Sequence, residues 1–359
     1  MKKNLFYLLA LFCALNLFSS CGDDDEKKDD PQPQPEDTTW KAVAGTYSAD
    51  KLKLAFNGQE QSSQSVTVEA TSAEKATVTL KGLIPAVDEV KVDLLMSKVT
   101  KAEEVVANYN LEGTATVEGA RTVSVKGNVN AGVLTLNVDI KVDSPLVGTW
   151  TFPPYVPTDT DGDGVINESD YNIMGGSFFM SLTTDNEISF GGQTVSDYQF
   201  CAYADQKAEA AIAAAAPELT FLENGNITIS YTKDGQTNKL EGLMGYYMKD
   251  NMLYVTLDVT ALMGMLSKAD ANPLEELMAM AKNGIPLIYT VEDGDASILI
   301  NSTLSNALLP SLTPILALIP TLMPNASPEM LAMLKEIGDL LPLIVADPDF
   351  QVGINLAKK

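Results

Sequence analysis

The chain has 359 residues, 45% of them hydrophobic, a formal charge of −24 and no histidine. That length suffices for two domains with substantial cores, and the charge argues against nucleic acid as a partner, because phosphates are repelled. The missing imidazole removes Ser-His-Asp and Cys-His catalysis, histidine-ligated zinc and imidazole general bases.

Residues 1–20 read as an export signal. Lys2 and Lys3 precede the apolar run Leu5 to Phe18, which is too short for an ordinary membrane span. The ending Leu17-Phe18-Ser19-Ser20-Cys21 resembles a bacterial lipoprotein lipobox, although Phe18 stands where an aliphatic residue is usual. The resemblance implies cleavage before Cys21 and lipidation of its thiol, with anchoring energy of about 0.8 kcal/mol per buried methylene. Gly22-Asp23-Asp24-Asp25-Glu26 is similar to the acidic export signal of Bacteroidetes surface lipoproteins, which implies an outer-membrane, cell-surface location. Residues 21–39, acidic and then proline-rich, should form an extended tether. Of the three cysteines, Cys13 would leave with the signal and Cys21 would be acylated, which leaves Cys201 without an expected disulfide partner.

Residues 40–143 are expected to be strands almost throughout. Leu52 to Phe56, Val66 to Ala70, Ala76 to Leu80, Val90 to Leu94, Tyr109 to Val117, Thr122 to Val129 and Val133 to Val142 alternate or are β-branched. Asn57-Gly58, Gly113, Gly119 and Asn130-Ala131-Gly132 separate them. Many short strands without helical period indicate an antiparallel barrel or sandwich. Gly45-Thr46-Tyr47 and the closing run Leu134 to Val142 resemble the calycin-like, lipocalin-related barrels of Bacteroidetes lipoproteins. That group has no general assigned activity, so the resemblance implies a fold only. Ser72-Ala73-Glu74-Lys75 fits the spacing of some serine acyl enzymes, but it lies between strands and its partner motifs are absent.

Residues 144–359 form the second expected domain. Gly148-Thr149-Trp150 repeats Gly45-Thr46-Tyr47 in type and marks a second barrel start. Strands are expected at Glu187 to Phe190, Leu219 to Leu222, Ile227 to Thr232, Leu253 to Val259, Ile285 to Val291, Ser297 to Asn301 and Phe350 to Leu356. Asn224-Gly225, Asp250-Asn251 and Asp293-Gly294 supply turns. Inserted helices are expected over Asp205 to Ala216, as a pair over Thr260 to Lys282, and within Ser302 to Asp347, where leucine and isoleucine recur at helical spacing. Pro310, Pro314 and Pro320 argue against a membrane span there. The expected fold is mainly β: two antiparallel calycin-like barrels, the second elaborated with helices.

Asp159 to Asp170, DTDGDGVINESD, matches a twelve-residue calcium loop except at its last position. Calcium needs six to eight oxygens. Asp159, Asp161 and Asp163 offer carboxylates, Val165 its carbonyl, Asn167 a direct or water-borne ligand, and Asp170 closes the site. Gly164 permits the sharp turn. Aspartate in place of the final glutamate resembles dockerin loops, but no second loop is present and prolines replace the entering helix. The ion expected is therefore structural Ca2+.

No motif for catalysis emerges, so the chain is expected to be non-catalytic. The reading is a surface lipoprotein that binds a small apolar molecule or glycan. The alternative is an assembly or adhesion component whose apolar helices dock on another outer-membrane protein. The functional surface is expected between the acidic loop and the helices after Ser302.

Overall fold

The computed structural model describes residues 37–99, 108–154, 162, 164, 175–184, 187–190, 192–258, 283–308 and 328–359. The signal and residues 21–36 of the tether, Cys21 included, the six expected calcium ligands, the 260–282 helix pair and 309–327 lie outside them.

The first sheet runs from β1 (Gly45–Ser48) through β2 (Leu52–Phe56), β3 (Gln59–Glu60), β4 (Ser65–Ala70), β5 (Lys75–Ile84), β6 (Val87–Lys98), β7 (Asn108–Val117) and β8 (Arg121–Asn130) to β9 (Val133–Val142). Its order is β1-β4-β5-β6-β7-β8-β9-β2-β3. Alternation decides the buried face: Val90, Val92, Leu94 and Met96 of β6 point in, as do Leu134, Leu136, Val138, Ile140 and Val142 of β9. The chain reverses six times between β1 and β9, so β9 arrives parallel to the direction in which it began. Its partner β2, joined to β1 by the 3-10 turn Ala49–Lys51, accordingly pairs with it in parallel. The sheet curls sharply and stays open between its outer strands. Here the expectation of two closed barrels is corrected: chain continuity through Ala49–Lys51, not a ladder of hydrogen bonds, spans this gap.

The second sheet closes. It contains β10 (Gly148–Thr151), β11 (Phe178–Ser181), β14 (Glu218–Phe221), β15 (Asn226–Lys233), β16 (Gln236–Lys249), β17 (Met252–Leu257), β18 (Ile285–Glu292), β19 (Asp295–Asn301) and β20 (Gln351–Lys358), with the hairpin β12 (Ile188–Phe190) and β13 (Gln193–Val195) apart. Seven reversals from β10 bring β20 back antiparallel to it, and the two pair at Trp150↔Lys358 and Thr151↔Ala357. The result is an eight-stranded antiparallel barrel. At that strand number side chains fill the interior. Trp150, Phe221, Ile227, Tyr246, Met248, Leu253, Ile298 and Leu356 do so, in one continuous cluster with the buried face of the first sheet.

Among the described residues two long helices flank the barrel: α1 (Asp197–Ala215) and α2 (Pro328–Ala346). Helix α1 begins eight residues before the expected Asp205, because Ser196 accepts from the Gln199 amide while the Gln199 side chain accepts from Ser196. Strand β16 begins at Gln236, since Asp234 and Gly235, both at positive φ, make a hairpin turn. Phe200 and Cys201 of α1 join Leu182, Ile188, Ile344, Val345 and Phe350 in a second, smaller core. The 302–308 helical segment closes over it: Asn306 Nδ2 donates to the Val345 carbonyl at 2.8 Å and Ser302 Oγ to that of Pro348 at 3.0 Å. Of the described part of the expected apolar helices, Ile344 and Val345 are buried in this core, with Leu340 and Leu341 packed against it.

Candidate functional site

The two sheets meet along a seam that is polar at its edge. Asn57, at positive φ in the Asn57-Gly58 turn, accepts from the Ile140 amide at 3.0 Å and donates to the Asn224 carbonyl at 2.9 Å. The Val142 amide donates to the Glu223 carbonyl at 2.7 Å, so β9 runs on into the β14–β15 turn. Tyr246 contributes from inside the barrel: its hydroxyl donates to the Leu222 carbonyl at 2.9 Å. Burial raises its pKa, with Glu223 adding to the rise, so the phenol keeps its proton.

A cleft of about 300 Å³ opens on this seam. Phe56, Ile140, Val142 and Met244 form its apolar walls, Asn57, Gln59, Gln61 and Asn224 its polar ones, and Arg121, Tyr247 and Asp258 also line it. Its volume lies at the small end of ligand pockets.

Arg121 is the least expected of these groups. It opens β8 on the same face as Val123 and Val125, and only 3% of it is exposed. Nε donates to the Glu118 carbonyl and Nη1 to the Pro85 carbonyl, both at 2.8 Å. The guanidinium lies over the Tyr247 ring, 4.4 Å from its centroid, and Tyr247 stacks in turn on Tyr254 at 4.9 Å and 8°. The Tyr247 hydroxyl donates to the Asn283 carbonyl at 2.5 Å, which fixes the ring. Burial draws the Arg121 pKa below its ordinary value, while Tyr247 and Glu118 oppose that shift. A guanidinium nonetheless stays charged. The Glu118 carboxylate is committed elsewhere, to Lys249 Nζ at 2.9 Å. Sequence reading missed Arg121, yet a signal was there: among 24 basic residues it is the sole arginine.

The segment that carries the expected calcium ligands is described only at Gly162 and Gly164, with φ of +79° and +81°. Those left-handed values fit a sharply turning oxygen-donor loop, which requires glycine at its sixth position. The chain on either side is tied together. Ser177 Oγ donates to the Pro153 carbonyl, Asn355 Nδ2 to the Gly176 carbonyl at 2.7 Å, and the Phe178 amide to Glu209 of α1 at 2.9 Å. Among the described residues no group of acids or cysteines is arranged to hold a metal.

Cys201 sits in the smaller core, wholly buried. Burial pushes its thiol up to about 12, with Asp197, Asp205 and Asp347 adding to the rise and a hydrogen bond to Leu182 opposing it. Such a thiol is a small hydrophobe, not a nucleophile. No helix among the described residues is long and apolar enough to cross a membrane.

No protein-family model, curated protein or solved structure matches this chain.

Proposed function

We propose that this is a non-catalytic surface lipoprotein, anchored in the outer membrane through Cys21, that binds a small, largely apolar molecule in the cleft between its two sheets. The observation that carries the binding reading is the cleft itself: a space of about 300 Å³ with one apolar wall, one polar wall and one buried charge. The barrel interior is filled by its own side chains, which directs a ligand to the seam. A glycan is less well served, because both tryptophans, Trp40 and Trp150, lie outside the cleft.

In this reading Asp159, Asp161, Asp163, Val165, Asn167 and Asp170 hold a structural calcium, which supplies charge neutralisation and rigidity to the loop. The left-handed Gly162 and Gly164 and the ties at Ser177, Glu209 and Asn355 support that role. A calycin-like ancestry for the barrel accords with its eight antiparallel strands. The closest test is native mass spectrometry after incubation with lipid and glycan extracts, comparing the parent with Gln61→Trp, which places an indole in the cleft. An adduct retained by the parent and lost in the variant is expected. No retained adduct in either overturns the binding reading.

A further inference from the structure

We propose that Arg121 is the recognition point for the carboxylate of a small monocarboxylic acid whose apolar body fills the cleft. This rests on the reading of the cleft as a ligand site and names the ligand's chemistry.

Three observations carry it. The first is a buried charge without an ion pair. Arg121 is buried and makes no ion pair among the described residues; the Glu118 carboxylate favours its charged form only at longer range, being itself paired with Lys249. A cation out of water is costly unless it is paired. Two carbonyls and a ring face offset only part of that cost, and an arriving anion supplies the rest.

The second is preorganisation. The Glu118 and Pro85 carbonyls and the Tyr247 ring hold three aspects of the guanidinium: one edge, one nitrogen and one face. Nη2 donates to no described residue. A fixed guanidinium with a free nitrogen suits a planar carboxylate.

The third is selectivity in the lining. Phe56, Ile140, Val142 and Met244 offer apolar contact but no cation to balance a second negative charge, and Asp258 repels one. The site therefore favours a single carboxylate over a dicarboxylate or a phosphate. General electrostatics supply no such preference, because a net charge of −24 gives anions no overall attraction to the chain.

The sole arginine supplies the assay. In the full chain labelled with ¹⁵N-arginine, all arginine side-chain signals belong to residue 121. Titration with phenylacetate should shift them saturably, and 2-phenylethanol or inorganic phosphate at equal concentration should not. Arg121→Gln, followed by calorimetry, should weaken phenylacetate binding by about tenfold or more. Because that variant also loosens the seam, Gln61→Trp provides a control that keeps Arg121: its labelled signals should no longer respond. If phenylacetate and 2-phenylethanol bind equally, carboxylate recognition is overturned while the cleft remains a ligand site. Equal shifts with phosphate, or a full response in Gln61→Trp, overturn it too, since the anion then binds without the cleft. If neither phenylacetate nor 2-phenylethanol binds, this inference falls together with the binding reading for such ligands, a failure distinct from the equal binding of both.

Discussion

Tyr47 and Trp150 occupy the same place in the two sheets. Each is the third residue of its opening strand, and each donates to the carbonyl four residues earlier: Tyr47 hydroxyl to Val43 at 2.7 Å, Trp150 Nε1 to Leu146 at 2.6 Å. The preceding threonines match as well. Thr46 meets Thr67 across the strand pair at 3.2 Å, and Thr149 meets Thr220 at 3.0 Å. An aromatic ring thus plugs the start of each sheet and locks its own approach turn. Tyr47→Phe should keep the ring and lose the bond, at about 1 kcal/mol. Trp150→Ala, which empties a fully buried site, should cost about 3–5 kcal/mol in urea unfolding. Equal costs for the two would show that the polar tie, not the ring, dominates.

Gly127 permits the tight curl of the first sheet. A Cβ there would lie 2.0 Å from the Thr135 carbonyl oxygen and 2.8 Å from a Leu136 methyl, neither able to yield without moving β9. Gly127→Ala should therefore destabilise by more than the ~1 kcal/mol typical of point mutants, although alanine ordinarily stabilises a strand relative to glycine. A stability equal to the parent's would mean that β8 and β9 separate readily.

Arg121 and Tyr247 should be energetically coupled across the seam. A double-mutant cycle with Arg121→Met and Tyr247→Leu, read by chemical unfolding, should return a coupling of about 0.5–2 kcal/mol. Additive losses would show that the stacked geometry contributes no free energy of its own.

Cys201 makes stability depend on alkaline pH. Its folded pKa is pushed up to about 12 from an ordinary 9.0, so between those values the unfolded chain gives up a proton that the folded chain retains. Stability from this group is complete below about pH 9 and is lost as pH rises toward 12. The slope of stability against pH in that window should be shallower in Cys201→Ala than in the parent. Native protein at pH 8 should also resist thiol alkylation until it is unfolded.

Calcium should raise the melting temperature, and a chelator should lower it. At a hundredfold excess over Kd the stabilisation is about 2.7 kcal/mol. Asp159→Ala combined with Asp163→Ala should abolish the response. A parent whose melting temperature ignores chelator would exclude a structural calcium.

Much of the strand architecture could be read from alternation and turn chemistry. Asn57-Gly58 and Asp293-Gly294 sit in turns with both residues at positive φ, and Leu134 to Val142 points every second side chain inward. What could not be read was closure. Local pattern does not reveal how many reversals precede the final strand, and that parity decides whether the last pair is parallel or antiparallel. The start of α1 was legible in Ser196-x-x-Gln199, a capping signature overshadowed by the alanines that follow. The cleft was harder still. Arg121 and Tyr247 lie 126 positions apart, and only the meeting of two sheets gives a lone arginine its burial.

The most direct test of the account is amide hydrogen exchange on the full chain with and without phenylacetate. Protection should rise at 57–61, 224–226 and 242–247, the stretches that line the cleft from both sheets. Protection confined to the 302–308 segment and α2, with the cleft stretches unchanged, would contradict it.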